Sequence, residues 1–260
     1  MKIATFNING IRARLPALLD WLREATPEIV LLQEIKCTDD AFPRLEIEEL
    51  SYNIETHGQK GLHGVAILSK RPLMDVQRGL PGAEGDLESR WIEATVEGDR
   101  APVRVCGLYL PNGNPAPGPR YDYKIAWMER MRLRAAELLE TEEPVVLAGD
   151  YNAIPEPRDV RYPEKWREDA LFLPATRAAF RRIVNLGYAD AIRECCQDAE
   201  CYTFWDYQAG AWQKNNGIRI DHVLLDPQAA DRLTGAGIDK AVRAREKPSD
   251  HVPVWVELDL

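Results

Sequence analysis

KPSDHVPVWVEL, Lys247 to Leu258, sets a charged Asp250-His251 pair between a Pro-Ser turn and an apolar run. Two readings compete for it. Ser249 and Asp250 suit a turn, and Pro253 suits the first residues of a strand. The same pair also suits a catalytic histidine beside a metal-binding carboxylate. The choice depends on whether other strands of the chain end in the same way.

They do. IATFNING ends on Asn7 and Asn9, and IVLLQEIK on Gln33, Glu34 and Lys36. VCGLYLPNG carries Tyr109 and Asn112. VVLAGDYNAIP ends on Asp150 and Asn152, and NNGIRIDHVLL sets Asp221 inside an apolar run. Taken singly, each Asn or Asp reads as a turn or helix cap, and Tyr109 as a core aromatic with its hydroxyl at the surface. Taken together, the segments place acceptor groups at the ends of otherwise apolar strands. Asp221 is the least turn-like, because an unpaired carboxylate among Ile218, Ile220 and Val223 is costly. It needs a partner, and a histidine is a good one. Carboxylate and amide oxygens without thiolates point to a hard cation, Mg²⁺ or Mn²⁺. Glu34 with Asp250 or Asp150 would suit it. The other groups would then orient water, stabilise charge and assist a leaving oxygen at a phosphoryl centre.

The element pattern is mixed throughout. Strands are expected at Lys2–Asn7, Glu28–Gln33, Tyr52–Glu55, Gly64–Ser69, Arg90–Val96, Val103–Leu110, Pro144–Ala148, Ile218–Leu225 and Val254–Leu258. Helical spacing marks Gly10–Ala25, Tyr121–Glu140 and Thr176–Leu186. So many strands outside simple strand-helix alternation predict packed sheets flanked by helices. No linker or low-complexity tract interrupts the chain, so residues 1–260 read as one domain. The loop PNGNPAPGP, Pro111 to Pro119, is too short for a linker and has the composition of a functional loop.

Composition narrows the classes. With 45% hydrophobic and 29% charged residues, the chain is of ordinary globular type. It has no apolar run of membrane-spanning length. MKIATFNING lacks the features of a signal peptide, which predicts a cytoplasmic protein. Cys195, Cys196 and Cys201 cluster upstream of His222 but lack the paired spacing of zinc sites, so reduced thiols are expected. A net charge of −9 disfavours bulk electrostatic binding of nucleic acid, but not a local basic groove.

FNINGIRAR, LQEIK, HGQKGLHGVAILSK, YLPNG, LAGDYNAIP, FWDY, NNGIRIDH and PSDHVPV occur in this order from Ile3 to Val254. In these motifs the chain resembles the exonuclease III and abasic-site endonuclease family of the endonuclease/exonuclease/phosphatase superfamily. The resemblance implies a four-layer α/β sandwich of two mostly antiparallel sheets with helices outside. It implies Mg²⁺-dependent hydrolysis of double-stranded DNA by a monomer: incision 5′ to abasic sites, 3′-to-5′ exonuclease action and removal of 3′-blocking groups. A phosphatase or phosphodiesterase of the superfamily acting on a substrate other than nucleic acid is the alternative.

Residue by residue, the resemblance implies Glu34 as the main metal carboxylate, with Asn7, Asp150, Asn152, Asp250 and His251 around it. Asp150 would orient or deprotonate water, Asn152 would hold the phosphate, and Tyr109 would stabilise charge. Asp221 would fix His251. Gly61, Arg90, Asn112, Lys124 and Asn216 would meet the DNA backbone. Phe204, Trp205, Ile218 and Ile220 would line a pocket for a flipped-out abasic sugar. Leu62 and Ile218 depart from aromatics found in some relatives, which leaves the balance of abasic incision and exonuclease activity open.

Overall fold

The computed structural model describes residues 1–198 and 200–260. Its strands, among the described residues, are β1 (Lys2–Asn7), β2 (Ile29–Gln33), β3 (Asn53–His57), β4 (Val65–Ser69), β5 (Leu73–Arg78), β6 (Trp91–Val96), β7 (Val103–Tyr109), β8 (Val145–Asp150), β9 (Ala189–Asp190), β10 (Asp221–Leu225), β11 (Leu233–Ile238) and β12 (Val254–Leu258). The helices are α1 (Ile11–Ala25), α2 (Arg44–Glu48), α3 (Pro119–Leu139), α4 (Pro174–Val184), α5 (Ala191–Cys195) and α6 (Pro227–Ala230). None is long and apolar enough to cross a membrane.

The strands form two six-stranded sheets, ordered β11-β12-β1-β2-β4-β3 and β5-β6-β7-β8-β10-β9. Each sheet has one parallel neighbour pair at its centre, β1 with β2 and β7 with β8, and is otherwise antiparallel. Strand periodicity of two sorts the side chains into layers. Ile3, Ile29 and Leu31 of one sheet meet Val105, Val146, Ala148 and Val223 of the other in a shared core. The alternate residues Ala4, Phe6, Val30 and Leu32 pack under α1, through Ile11, Leu18, Trp21 and Leu22. Leu147 and Leu224 face α3 and α4. The result is the expected four-layer sandwich.

The same alternation positions the polar strand ends. Inward residues Ile3 and Thr5 are followed by Asn7. Val146 and Ala148 are followed by Asp150, and Asp221 precedes the inward Val223. A period of two therefore carries polar side chains into the gap between the sheets at one end of the sandwich.

Three details depart from the sequence reading. Regular pairing in β10 starts at Asp221, not Ile218, which makes only isolated bridges to Val160 and Phe204. β8 runs on through Asp150, beyond the expected end at Ala148. β5, β9 and β11 lack a clear strand signal. LTGAGI in β11 is rich in glycine because Trp255 of β12 lies across it, and a Cβ on Gly237 would stand 2.5 Å from the indole.

The glycine of the GD pair before Tyr151 has a similar cause. A Cβ on Gly149 would stand 1.9 Å from the Leu108 carbonyl oxygen on the neighbouring strand. Backbone cannot swing aside as a side chain can. Gly149→Ala is therefore expected to lose about 3 kcal/mol of stability by overpacking, measured by urea unfolding. Wild-type stability in that variant would contradict the close approach of β7 and β8.

Candidate active site

Register brings Tyr109, Asp150 and Asp221 together on three adjacent strands. Tyr109 pairs with Asp150 across the parallel β7–β8 ladder, and Asp150 pairs with Asp221 across the antiparallel β8–β10 ladder. Asn7 reaches them from the other sheet. Its Nδ2 donates to Asp150 Oδ2 and to Glu34 Oε1, both at 2.9 Å. Glu34 follows β2 with a left-handed φ of 52°, a conformation uncommon outside glycine that occurs at functional turns. Asn152, two residues past Asp150, has φ 43°. Its amide N–H donates to Asp150 Oδ1 at 2.8 Å, and its Nδ2 to the Leu110 carbonyl at 2.9 Å.

The Pro-Ser turn anchors the opening motif. Ser249 Oγ donates to the Asn7 carbonyl at 2.7 Å and accepts the His251 amide at 3.2 Å. His251 Nδ1 donates to Asp221 Oδ2 at 2.8 Å, and its Nε2 lies 3.8 Å from Asp150 Oδ2. The Phe204 ring meets the imidazole edge-on at 4.9 Å between centroids. Thr203 Oγ1 accepts the amides of Ile220 and Asp221 at 3.1 Å, fixing the carboxylate behind the ring. The expected turn is therefore present, and it mounts the His251 ring against Asp221.

Electrostatics follow from this geometry. Burial favours a neutral His251 ring, but the Asp221 and Asp150 carboxylates overcome it and raise its pKa to about 10. Burial, reinforced by Asp221, pushes Asp150 up to about 7 against the pull of His251. Burial also opposes charge on Glu34, yet the Asn7 amide and the Lys36 ammonium, 2.7 Å from Oε2, hold its carboxyl below the ordinary range. Burial and the Glu34 and Asp150 charges keep the Tyr109 hydroxyl protonated, with a pKa well above its usual value.

Glu34, Asp150 and His251 can each direct a ligand atom into one cluster, all within 4.8 Å of one another. His251 is hydrogen-bonded to Asp221 and cationic, so the carboxylate oxygens of Glu34 and Asp150 are the donors that suit a hard cation. The other expected ligand residues carry hydrogen bonds at the rim of this cluster. Asn7 presents its NH₂ to the cluster. The Asn152 Oδ1 accepts from Asn112 Nδ2 at 3.2 Å. Asp250 Oδ1 accepts from Asn9 Nδ2 at 3.0 Å, and Asn9 Oδ1 in turn accepts from Lys36 Nζ at 2.5 Å. Asn9 and Lys36 stand at the polar strand ends in the sequence, but their bridging role depends on a contact with Asp250 across more than 200 residues. Thr203 carries no signal in the sequence, and Ser249 none beyond its turn character.

The expected DNA-facing residues divide by burial. Gly61 and Asn112 are exposed and Asn216 is half-buried. Arg90 is mostly buried, its Nε on Glu88 Oε2 at 2.5 Å and its guanidinium 4.7 Å over the Tyr109 ring. Lys124, Trp205, Ile218 and Ile220 are corrections: all are buried, at 0%, 0%, 2% and 2% exposure, so none offers DNA a surface. Ile218 and Ile220 pack with Ile154, Val160 and Phe172. Trp205 packs with Tyr202 and Val252 and donates Nε1 to Asn215. Extended backbone turns Phe204 towards His251 and therefore Trp205 the other way. The cysteine group builds no metal cluster among the described residues. His222 lies instead between the Tyr151 and Phe180 rings, with Nε2 on the Ala153 carbonyl at 3.0 Å.

The profile of the Endonuclease/Exonuclease/phosphatase family matches residues 4–251. An exodeoxyribonuclease III from Haemophilus influenzae is 35% identical over 268 residues, covering 99% of each chain. The structure of an AP endonuclease from Archaeoglobus fulgidus superposes with a TM-score of 0.94 at 35% identity, over 100% of both chains. A 3′ phosphatase, NExo, from Neisseria, bound to product DNA hairpin, gives 0.95 at 36% identity, again over 100% of both.

Because folding raises the His251 pKa, the pair with Asp221 contributes stability that is full below the ring's ordinary pKa of about 6.5 and is lost as pH rises through about 10. In EDTA, NMR of the His251 ring should show imidazolium from pH 6 to 9. Asp221→Asn should move its titration down by more than about one unit. A ring already neutral at pH 8 in the wild type would contradict the assignment.

Proposed function

The chain belongs to the endonuclease/exonuclease/phosphatase family, and on that premise we propose that it is a DNA-repair nuclease that hydrolyses phosphodiester bonds. One observation carries the reading: Asp221, His251, Asp150 and Glu34 form one buried-to-half-buried chain of groups at the mouth of the sandwich. The support for DNA as substrate is that the similar proteins are named as an exodeoxyribonuclease, an AP endonuclease and a 3′ phosphatase bound to DNA. The activities proposed are incision 5′ to abasic sites, 3′-to-5′ exonuclease and removal of 3′-blocking groups.

The roles follow from charge and reach. His251, cationic at neutral pH, cannot accept a proton, and it offers Nε2–H to a phosphate oxygen. Asp150, oriented by Asn152 and Asn7, accepts the proton of the attacking water. Tyr109, kept protonated, donates to the developing charge. Glu34 and Asp150 would hold Mg²⁺, or Mn²⁺ in its place, which supplies electrostatic stabilisation of the phosphate oxygens. Gly61, Asn112 and Asn216 meet the DNA backbone, and Phe204 walls the site beside His251. The proposed form is a monomer acting as a single domain.

A duplex carrying one abasic site, incubated with Mg²⁺ or with EDTA, tests this. The expected result is metal-dependent incision. Absence of incision would remove the abasic-endonuclease reading, and absence of 3′ resection as well would remove the nuclease reading. Separately, His251→Ala should slow turnover by about 10²- to 10⁴-fold with the fold retained, by circular dichroism and single-turnover assay. Full turnover in that variant would contradict the role of His251.

A further inference from the structure

Lys124 has no place in the roles above, yet it is one of the least ordinary residues in the molecule. The buried stripe of α3 is Lys124, Trp127, Met128, Met131, Ala135 and Leu138. Lys124 is its one charged member, and the pattern would be completed by an apolar side chain. An ammonium in a core is costly unless its donors are used. Here Nζ donates to two backbone carbonyls, Asn152 at 2.5 Å and Asn112 at 3.0 Å.

Those carbonyls belong to different segments of the site. Asn152 follows β8 at a left-handed φ, and Asn112 opens the loop from Pro111 to Pro119. The loop is shaped to lie on the lysine stem: Gly113 has φ 88°, and a Cβ there would stand 2.6 Å from Lys124 Cδ. With both carbonyls drawn to Nζ, the two side chains meet, Asn112 Nδ2 donating to Asn152 Oδ1 at 3.2 Å. That contact fixes which way round the Asn152 amide sits. Its Nδ2 is then directed to Leu110 O and to Asp150 Oδ2, the latter at 3.3 Å, while its backbone N–H holds Asp150 Oδ1. Both oxygens of Asp150 are thus aligned through a residue that Lys124 clamps.

We infer that Lys124 is a positioning residue of the reaction, its buried amino group clamping the Asn112 and Asn152 backbones so that Asn152 aligns the Asp150 carboxylate. The inference deepens the nuclease reading and rests on it. It replaces a contact with DNA phosphate by a contact beneath the site.

Lys124→Met completes the apolar stripe and removes the clamp. On an abasic duplex with Mg²⁺, its kcat should fall about tenfold or more while KM changes by less than about twofold. Met128→Leu, a change in the same stripe, should leave kcat within about twofold. The side-chain NH₂ correlations of Asn112 and Asn152 in ¹H–¹⁵N spectra should shift in Lys124→Met and stay in place in Met128→Leu. Unchanged kcat in Lys124→Met, or a raised KM at unchanged kcat as expected of a phosphate contact, would overturn the inference. If Lys124→Met does not fold, Lys124→Gln replaces it, and a loss in kcat at constant KM is again required. If the wild type shows no metal-dependent nuclease activity, the nuclease reading fails. The NH₂ correlations then decide the clamp alone.

Discussion

Two aspartates face each other across neighbouring strands, Asp150 on β8 and Asp221 on β10. Like charges in directly opposed positions of a ladder destabilise it, the more so when buried. His251 resolves the conflict. Its ring donates to Asp221 and points its other nitrogen at Asp150, so one imidazolium serves two carboxylates. The two carboxylates keep the ring cationic against the effect of burial, while burial first and Asp221 second raise the Asp150 pKa to about 7.

The sandwich delivers these groups because its central strands are buried on both faces. An inward position needs an apolar side chain along the strand, but at the strand end it opens to the gap between sheets. Asn7 closes that gap by donating to a carboxylate from each sheet. A second polar chain, Lys36 to Asn9 to Asp250, runs along the rim and balances the charge of Glu34. These local pairings explain how an acidic protein, net −9, can present a centre for an anionic substrate.

Much of this was legible in the residues. Asp221 inside IRIDHVLL demanded a partner, and His251 is that partner. Glu34 and Asp150 at strand ends marked the cluster. What the sequence could not convey was direction. Phe204 and Trp205 are adjacent aromatics, and only the strand-like backbone decides that one meets His251 and the other enters the core. Lys124 in a helix reads as a surface cation, because the stripe it belongs to is set by where α3 packs. Asp250 is occupied by Asn9 through a contact between the two ends of the chain, which no local pattern encodes.

The account depends most on the coupling between Asp221 and His251. A double-mutant cycle in EDTA measures it directly: unfolding free energies of the wild type, Asp221→Asn, His251→Gln and the double variant. The account predicts a coupling of at least about 1 kcal/mol at pH 7, shrinking above pH 10 where the ring is neutral. Additive single variants at pH 7 would contradict it, and would mean that the ring stands beside the carboxylates without holding them.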